Sequence, residues 1–137
     1  MPKTKDLKLD QYDIGQALYR ELLWFCLQYG EKKMKLRTVY GLRAVIYDKV
    51  GGGSSGLSDP TARTAEIAEI YRNDIDKIDY CAKAVCPYQT KLFLRTVTER
   101  HTTYTTIRMQ GFKMSQGEFN RRRRHFYYLL AERLRKI

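Results

Sequence analysis

Apolar residues recur at helical spacing in two stretches near the start of the chain. The first stretch covers residues 13–29, with Asp13 placed as an N-cap and Gly30 as the stop. The second covers residues 31–48, although a glycine and several β-branched residues weaken its helical pattern. Together the two stretches predict a small helical N-terminal lobe over residues 1–50.

A Gly/Ser-rich segment, "GGGSSGLSDP" over residues 51–60, follows this lobe. Glycine and serine do not hold a regular element, so the segment is predicted to be a flexible joint. Its end offers Asp59 as an N-cap and Pro60 at the first helical position, and a long helical repeat then continues until Pro87. Acidic residues crowd the exposed side of that long helix, which argues against its use as a DNA-binding face. These residues are Glu66, Glu69, Asp74, Asp76 and Asp79.

Two shorter helices are predicted after Pro87. The second of them, over about residues 103–110, is rich in threonine, so a strand is the alternative, and the pattern leaves residues 95–110 open between the two. Gly111 supplies the break after the helix. The residues predicted to face inward are Leu92, Phe93 and Val97 in the first helix, and Tyr104, Ile107 and, as a further candidate, Met109 in the second.

A capping box opens the last predicted helix, because Glu118 stands three residues after Ser115. The helix is predicted over residues 116–135, and at 100° per residue one of its sides is apolar. The residues of that side are Phe119, Arg123, Phe126, Leu130 and Leu134, flanked by Leu129 and the stem of Arg122. The run of four arginines is therefore placed on a packed helix and not in a disordered tail.

The opposite side of the last helix is polar from its first turn. Arginine can donate two hydrogen bonds to guanine, and asparagine or glutamine can pair with adenine. A short helix, a glycine-containing turn and a capped polar helix form the arrangement of a helix-turn-helix, predicted here over residues 103–135. The predicted DNA-binding residues are Lys113, Ser115, Gln116, Gly117, Asn120, Arg121, Arg124 and Tyr128. A solvated charged face and a nuclear localisation signal are the alternative interpretations of the arginines.

The charge of the chain fits a polyanionic partner. The 137 residues include 26 Lys and Arg against 15 Asp and Glu, which gives a net charge of +11 and a pI of about 9.7. Double-stranded DNA is therefore the predicted partner. The apolar runs are far shorter than the roughly 20 residues of a bilayer span, and the first residues have no apolar signal core, so we expect a cytoplasmic protein without a membrane partner.

Cysteine and histidine do not indicate a catalytic or metal site. The three cysteines, Cys26, Cys81 and Cys86, form no CxxC pair, so neither a disulfide framework nor a zinc ribbon is predicted. A pairing of Cys81 or Cys86 with His101 or His125 lacks any local nucleophile signature. We therefore expect a protein that is not an enzyme, with no catalytic residues, no metal site and no cofactor. The helical patterns described above predict an all-α fold.

Two stretches of the chain resemble known DNA-binding families. The segments "KLRTVYGLRAVIYDKVGGGSSGLSDPTARTAEIA", residues 35–68, and "YTTIRMQGFKMSQGEFNRRRRHFYYLLAERL", residues 104–134, resemble the RinA/ArpU-type transcriptional regulators of phages and prophages. The second segment is also similar to the fourth region of bacterial sigma factors, in which a capped, arginine-rich helix reads a promoter element. Its turn, "GFKMS", is one residue longer than the sigma pattern.

The resemblance implies a late-gene transcription activator that binds a phage promoter in the cytoplasm of a bacterial host. It also implies that the N-terminal lobe meets host RNA polymerase or a second copy of the chain, as in a homodimer. Carried across by position, Tyr104 and Ile107 are packing residues of the support helix, Ser115 is the cap, Phe119 is the core anchor, and Gln116, Asn120, Arg121 and Arg124 face DNA.

The main alternative is a phage-encoded inhibitor that binds a host protein, either of the anti-CRISPR kind or directed at polymerase. The chain has 11 tyrosines, and Tyr127 and Tyr128 beside the arginines suit a protein interface as well as a phosphate backbone. Steep salt dependence of binding to duplex DNA would distinguish the regulator from the inhibitor.

Overall fold

The computed structural model describes residues 9–38 and 58–137, and over these residues the protein is all-α, with no strand. The all-α prediction is therefore confirmed, and residues 95–110 are helix and loop. The elements are a short 3-10 turn at Asp10–Tyr12, α1 at Gln16–Leu27, α2 helical over residues 29–38, α3 at Ser58–Val85, α4 at Thr90–Thr98, α5 at Tyr104–Met109 and α6 at Gln116–Arg133.

The chain divides into two compact units. The first comprises Lys77–Ile137 with the described residues up to Gln28, and the second is Tyr29–Asp76, so α3 contributes to both. The predicted lobes, residues 1–50 and 61–137, were drawn differently because sequence spacing could not show that α1 contacts α4 and α6. Most of the predicted joint, residues 51–57, and the second half of the predicted helix 31–48 lie outside the described residues.

The predicted signals at the two ends of the first helix were wrong. Asp13 ends the 3-10 turn in the left-handed conformation, with φ of 57°, and Gly15 is the N-cap of α1 without a side-chain hydrogen bond. Gly30 does not break the chain, since α2 runs through it. Glycine permits a positive φ but does not require one, so it ends a helix only where the following chain must turn away.

An aromatic cluster forms the core of the first unit. The ring of Phe93 on α4 lies edge-on to those of Phe119 and Phe126 on α6, with centroid distances of 5.9 and 5.7 Å. Phe112, from the turn before α6, lies 6.0 Å from Phe119. Such edge-to-face pairs add stabilisation beyond the burial of their apolar area. Most of the predicted inward residues are buried, and Leu92 and Tyr104 are half-buried. The buried ones are Phe93, Val97, Ile107, Phe119, Phe126 and Leu130.

The buried side of α6 is wider than predicted. Tyr127 and Ala131 are fully buried as well, while Leu129 and Leu134 are only half-buried. The extra width comes from α1, because the ring of Tyr19 packs edge-on against Tyr127 at 5.2 Å. Tyr127 is therefore not available for the protein or phosphate contact that the alternative interpretation considered.

The second unit pairs α2 with the first part of α3. Tyr29, Ala68 and Ile75 are buried within it. Lys32 and Asp74 form an ion pair, with 2.9 Å from Nζ to Oδ2, and their side chains are only 8% and 18% exposed. Asp74 was predicted on the exposed acidic side of the long helix. In the structure its side chain is only 18% exposed, because it packs against Lys32 in this ion pair.

The three cysteines form no disulfide bond, and all of them are buried. Burial raises the pKa of Cys81 to about 11, and it also raises the pKa of Cys86. A buried thiol that keeps its proton at neutral pH is a poor nucleophile and a poor metal ligand. Cys26, Cys81 and Cys86 therefore act as small core residues of the first unit.

Candidate nucleic-acid interface

Two capped helices joined by a turn, α5 and α6, hold most of the predicted site. The Thr103 hydroxyl accepts a hydrogen bond from the Thr106 amide and begins α5. The Ser115 hydroxyl accepts from the Glu118 amide at 3.2 Å and begins α6. Gly111, with φ of +100°, makes the predicted break between them. Met109 is 85% exposed, so its inward placement was wrong.

The turn between α5 and α6 is held from outside by Gln89. Its side-chain Nε2 donates to the Gly111 carbonyl at 2.9 Å, and its Oε1 accepts from the Lys113 amide at 2.8 Å. The Tyr104 hydroxyl donates to the Met114 carbonyl, which fixes the end of the turn. The start of α6 is thus positioned by bonds that no local pattern around Gln89 could have revealed.

A groove of about 470 Å³ opens between α5 and the start of α6. Its wall includes the cations Arg108 and Lys113, the ring of Tyr104, and Ser115 and Gln116 from the cap and first residue of α6. The amides of a helix N-terminus and two nearby cations create a positive potential, which favours anionic groups such as phosphate. Arg108 was not among the predicted DNA-binding residues.

The predicted DNA-binding residues fall into two groups. Lys113, Ser115, Gln116, Gly117 and Arg121 are exposed, whereas Asn120, Arg124 and Tyr128 are half-buried. The exposed group lies along the turn and the first part of α6, and we call it the α6 entry surface. An alanine Cβ at Gly117 would meet no atom within 4 Å, so the backbone of this surface is open to a close approach.

Glu118 organises two of the arginines. Its carboxylate accepts hydrogen bonds from Arg121 Nε at 3.1 Å and from Arg122 Nε at 2.9 Å, and these bonds lower the pKa of Glu118. The Glu118 carboxylate bonds these arginines, and the Ser115 hydroxyl caps the helix. The structure therefore shows the Ser115 half of the predicted capping box. The Arg121 side chain is 68% exposed even in this pair. Its guanidinium is therefore held in place but open to solvent.

The four consecutive arginines have different surroundings. Arg122 also donates to the Val85 carbonyl at 3.0 Å, which ties α6 to the end of α3. Arg123 donates to the Tyr19 hydroxyl at 3.4 Å, and the Nε atoms of Arg123 and Arg124 are buried. Arg121 is the most accessible member of the run, and Arg122 and Arg123 serve the packing of the first unit.

Tyr128 lies apart from the α6 entry surface. Its ring stacks on that of Tyr12 in the 3-10 turn, with a centroid distance of 5.0 Å and an interplanar angle of 27°. A hydrogen bond to Glu132 raises the pKa of Tyr128. The 3-10 turn therefore contacts the polar side of α6 at Tyr128, which spacing within the helix could not show.

No family model, curated protein or solved structure matches the chain. None of the described helices has the length and apolar character needed to cross a bilayer. Within residues 9–38 and 58–137 there is also no group of three or more His, Cys, Asp or Glu side chains that could hold a metal ion. The α6 entry surface and its groove are thus the best-supported candidate site.

Proposed function

We propose that this protein is a phage or prophage transcriptional regulator, and a late-gene activator, that binds duplex DNA. The α6 entry surface enters the major groove, where Arg121 reads a base edge and Lys113 contacts phosphate. Activation further requires a contact with host RNA polymerase, for which the predicted N-terminal lobe, residues 1–50, is our candidate. The observation that carries the DNA-binding proposal is the exposed guanidinium of Arg121, which Glu118 holds by hydrogen bonds. The helix that bears it is capped by Ser115, and Gln89 bonds the turn before it.

The arrangement suits base reading because the reading group is already ordered. Glu118 holds Arg121 through two hydrogen bonds in the free protein, so less side-chain entropy is lost when the guanidinium meets a base. Gln89 and Tyr104 fix the turn before α6 in the same way. A solvated charged face that only maintained solubility would need neither feature.

Selection of duplex fragments tests base reading by Arg121. We expect the wild-type protein at about 150 mM salt to enrich one site from the encoding genome, and Arg121→Ala to weaken that site by about 1–3 kcal/mol and relax preference at one or two base pairs. Arg20→Ala is the matched control, because Arg20 is exposed on α1 and the variant loses the same charge. It should keep the base preference.

Two outcomes would count against this proposal. Equal small losses for Arg121→Ala and Arg20→Ala on every sequence would mean that Arg121 contributes only net charge. Enrichment of no site by the wild type, with weak binding that salt abolishes, would favour the inhibitor of a host protein instead. Arg124→Ala belongs in the same selection, and we expect a smaller effect because Arg124 is half-buried.

Gly117→Ala separates stability from DNA approach. Alanine should stabilise α6 by about 0.5 kcal/mol, because glycine loses more backbone entropy in a helix and the added Cβ meets no protein atom. If the backbone at Gly117 approaches DNA closely, the same variant should bind the selected site more weakly. Thermal unfolding and binding to that site are measured together, and an unchanged affinity would place Gly117 outside the contact.

A further inference from the structure

The loop between α3 and α4 lies against the turn that precedes α6. Gln89 in this loop bonds both the Gly111 carbonyl and the Lys113 amide, across 22 and 24 residues of sequence, at 2.9 and 2.8 Å. The loop is also fixed at its own ends, since the Thr90 hydroxyl donates to the Cys86 carbonyl at 2.6 Å. Residues on either side of Gln89 are therefore held beside the α6 entry surface.

Tyr88, next to Gln89, is 98% exposed. No hydrogen bond or ring contact of Tyr88 is found among the described residues. A tyrosine in this position contributes nothing to the packing of the first unit. Its hydroxyl can donate a hydrogen bond to a phosphate oxygen, and its ring can pack against a deoxyribose. Lys91, one turn further along at the start of α4, is also exposed.

The charge around this loop is one-sided. From Tyr80 to Gly117 the chain has six Lys and Arg residues, and Glu99 is its one acidic residue. Glu99 is occupied by Arg95, with 3.1 Å from Arg95 Nε to Oε2. Lys91 and Lys113 are exposed, and between Tyr80 and Gly117 the one acidic residue, Glu99, is already paired with Arg95. Tyr88 and Lys91 complement a polyanion, and neither of these two side chains carries an arginine fork or an amide group.

We propose that Tyr88 and Lys91 form a second contact of this protein with the sugar-phosphate backbone of duplex DNA, beside the groove that α6 enters. The proposal rests on the proposed function. Gln89 couples the two contacts, because one side chain holds both the loop and the turn. Tyr88 and Lys91 set the affinity and the docking of α6 and leave the choice of sequence to Arg121.

Binding measurements on the full chain test the loop contact. The probes are the duplex enriched by the wild type and an unrelated duplex of equal length, titrated at several salt concentrations from about 50 to 200 mM. Lys91→Ala should reduce the slope of log K against log salt by about 1 and weaken both duplexes by the same factor. Tyr88→Phe should weaken both roughly threefold to tenfold, the loss expected for one solvent-exposed hydrogen bond.

Both variants should melt like the wild type, because both side chains are exposed. Arg20→Ala again controls for net charge and should leave the slope unchanged. Suppose that the wild type selects a site and Arg121→Ala loses it, but Lys91→Ala and Tyr88→Phe bind both duplexes like the wild type. The loop proposal is then wrong and the proposed function stands.

Two further results would overturn the loop proposal. A change of sequence preference in Tyr88→Phe or Lys91→Ala would make this a base contact and not a backbone contact. If the wild-type protein binds neither duplex, the loop proposal fails together with the proposed function. In that case the exposed tyrosine and lysines would point to an acidic protein surface as partner.

Discussion

Phe126→Ala should lower the free energy of unfolding of the first unit by about 3–5 kcal/mol, the range for large aromatic truncations in a core. Phe126 has no exposed surface, and its ring lies edge-on to those of Phe93 at 5.7 Å and Tyr127 at 5.2 Å. Alanine would leave a cavity between α4 and α6 that the rings of Phe93 and Tyr127 cannot refill. Denaturant unfolding followed by circular dichroism measures the loss.

Tyr88→Ala is the matched control for this prediction. It also removes an aromatic ring from the first unit, but from a side chain that is 98% exposed, so its unfolding should stay within about 0.5 kcal/mol of the wild type. If Phe126→Ala unfolds like Tyr88→Ala, then α6 does not pack on α4 through this face. Since Arg121 shares α6 with Phe126, the exposed position of Arg121 would then be wrong as well.

Lys32→Ala should lower the stability of the second unit by about 3 kcal/mol. The loss arises because the Asp74 side chain, only 18% exposed, would lose the ammonium partner that now lies 2.9 Å away. The expected value is at the lower end for a buried pair, because water still reaches part of Asp74. Hydrogen exchange of the α2 amides, together with denaturant unfolding, measures the change in this unit.

A double variant distinguishes a missing partner from a missing side chain. Lys32→Met/Asp74→Leu removes both charges and keeps apolar volume, so it should recover most of the stability that Lys32→Ala loses. Arg37→Ala, at an exposed position of the same helix, controls for the loss of a positive charge. If the double variant is as unstable as Lys32→Ala, the stabilising contribution of Lys32 comes from its packing and not from the charge pair.

The Phe126 prediction bears on function because the first unit holds the whole candidate site. Arg122 bonds the Val85 carbonyl, and Arg123 bonds the Tyr19 hydroxyl. Two of the four arginines therefore stabilise the packing of α6, the helix on which Arg121 is exposed. A variant that replaces all four arginines would therefore confuse unfolding with loss of DNA binding. Replacement of Arg121 alone avoids this ambiguity, because the hydrogen bonds of Arg121 go to Glu118 on the surface of the same helix.

Local signals predicted the second half of the fold well. Ser115 does cap α6, Gly111 does break the chain with a positive φ, and Phe93, Ile107 and Phe119 are buried as their spacing indicated. Each of these features depends on residues within about one helical turn, where the backbone geometry itself relates sequence distance to spatial direction. The same kind of reasoning failed at Asp13, whose capping chemistry was outweighed by the preceding 3-10 turn.

The amino-acid pattern was thus sufficient for the all-α class, the capped helices and the apolar side of α6, since these follow from short-range periodicity and hydrogen bonding. Tertiary packing decided which polar residues are accessible. The contacts of Tyr12 with Tyr128, Tyr19 with Arg123 and Gln89 with the turn join residues that are 22 or more positions apart. Spacing along one helix contains no information about such partners, because they depend on which other element covers that helix.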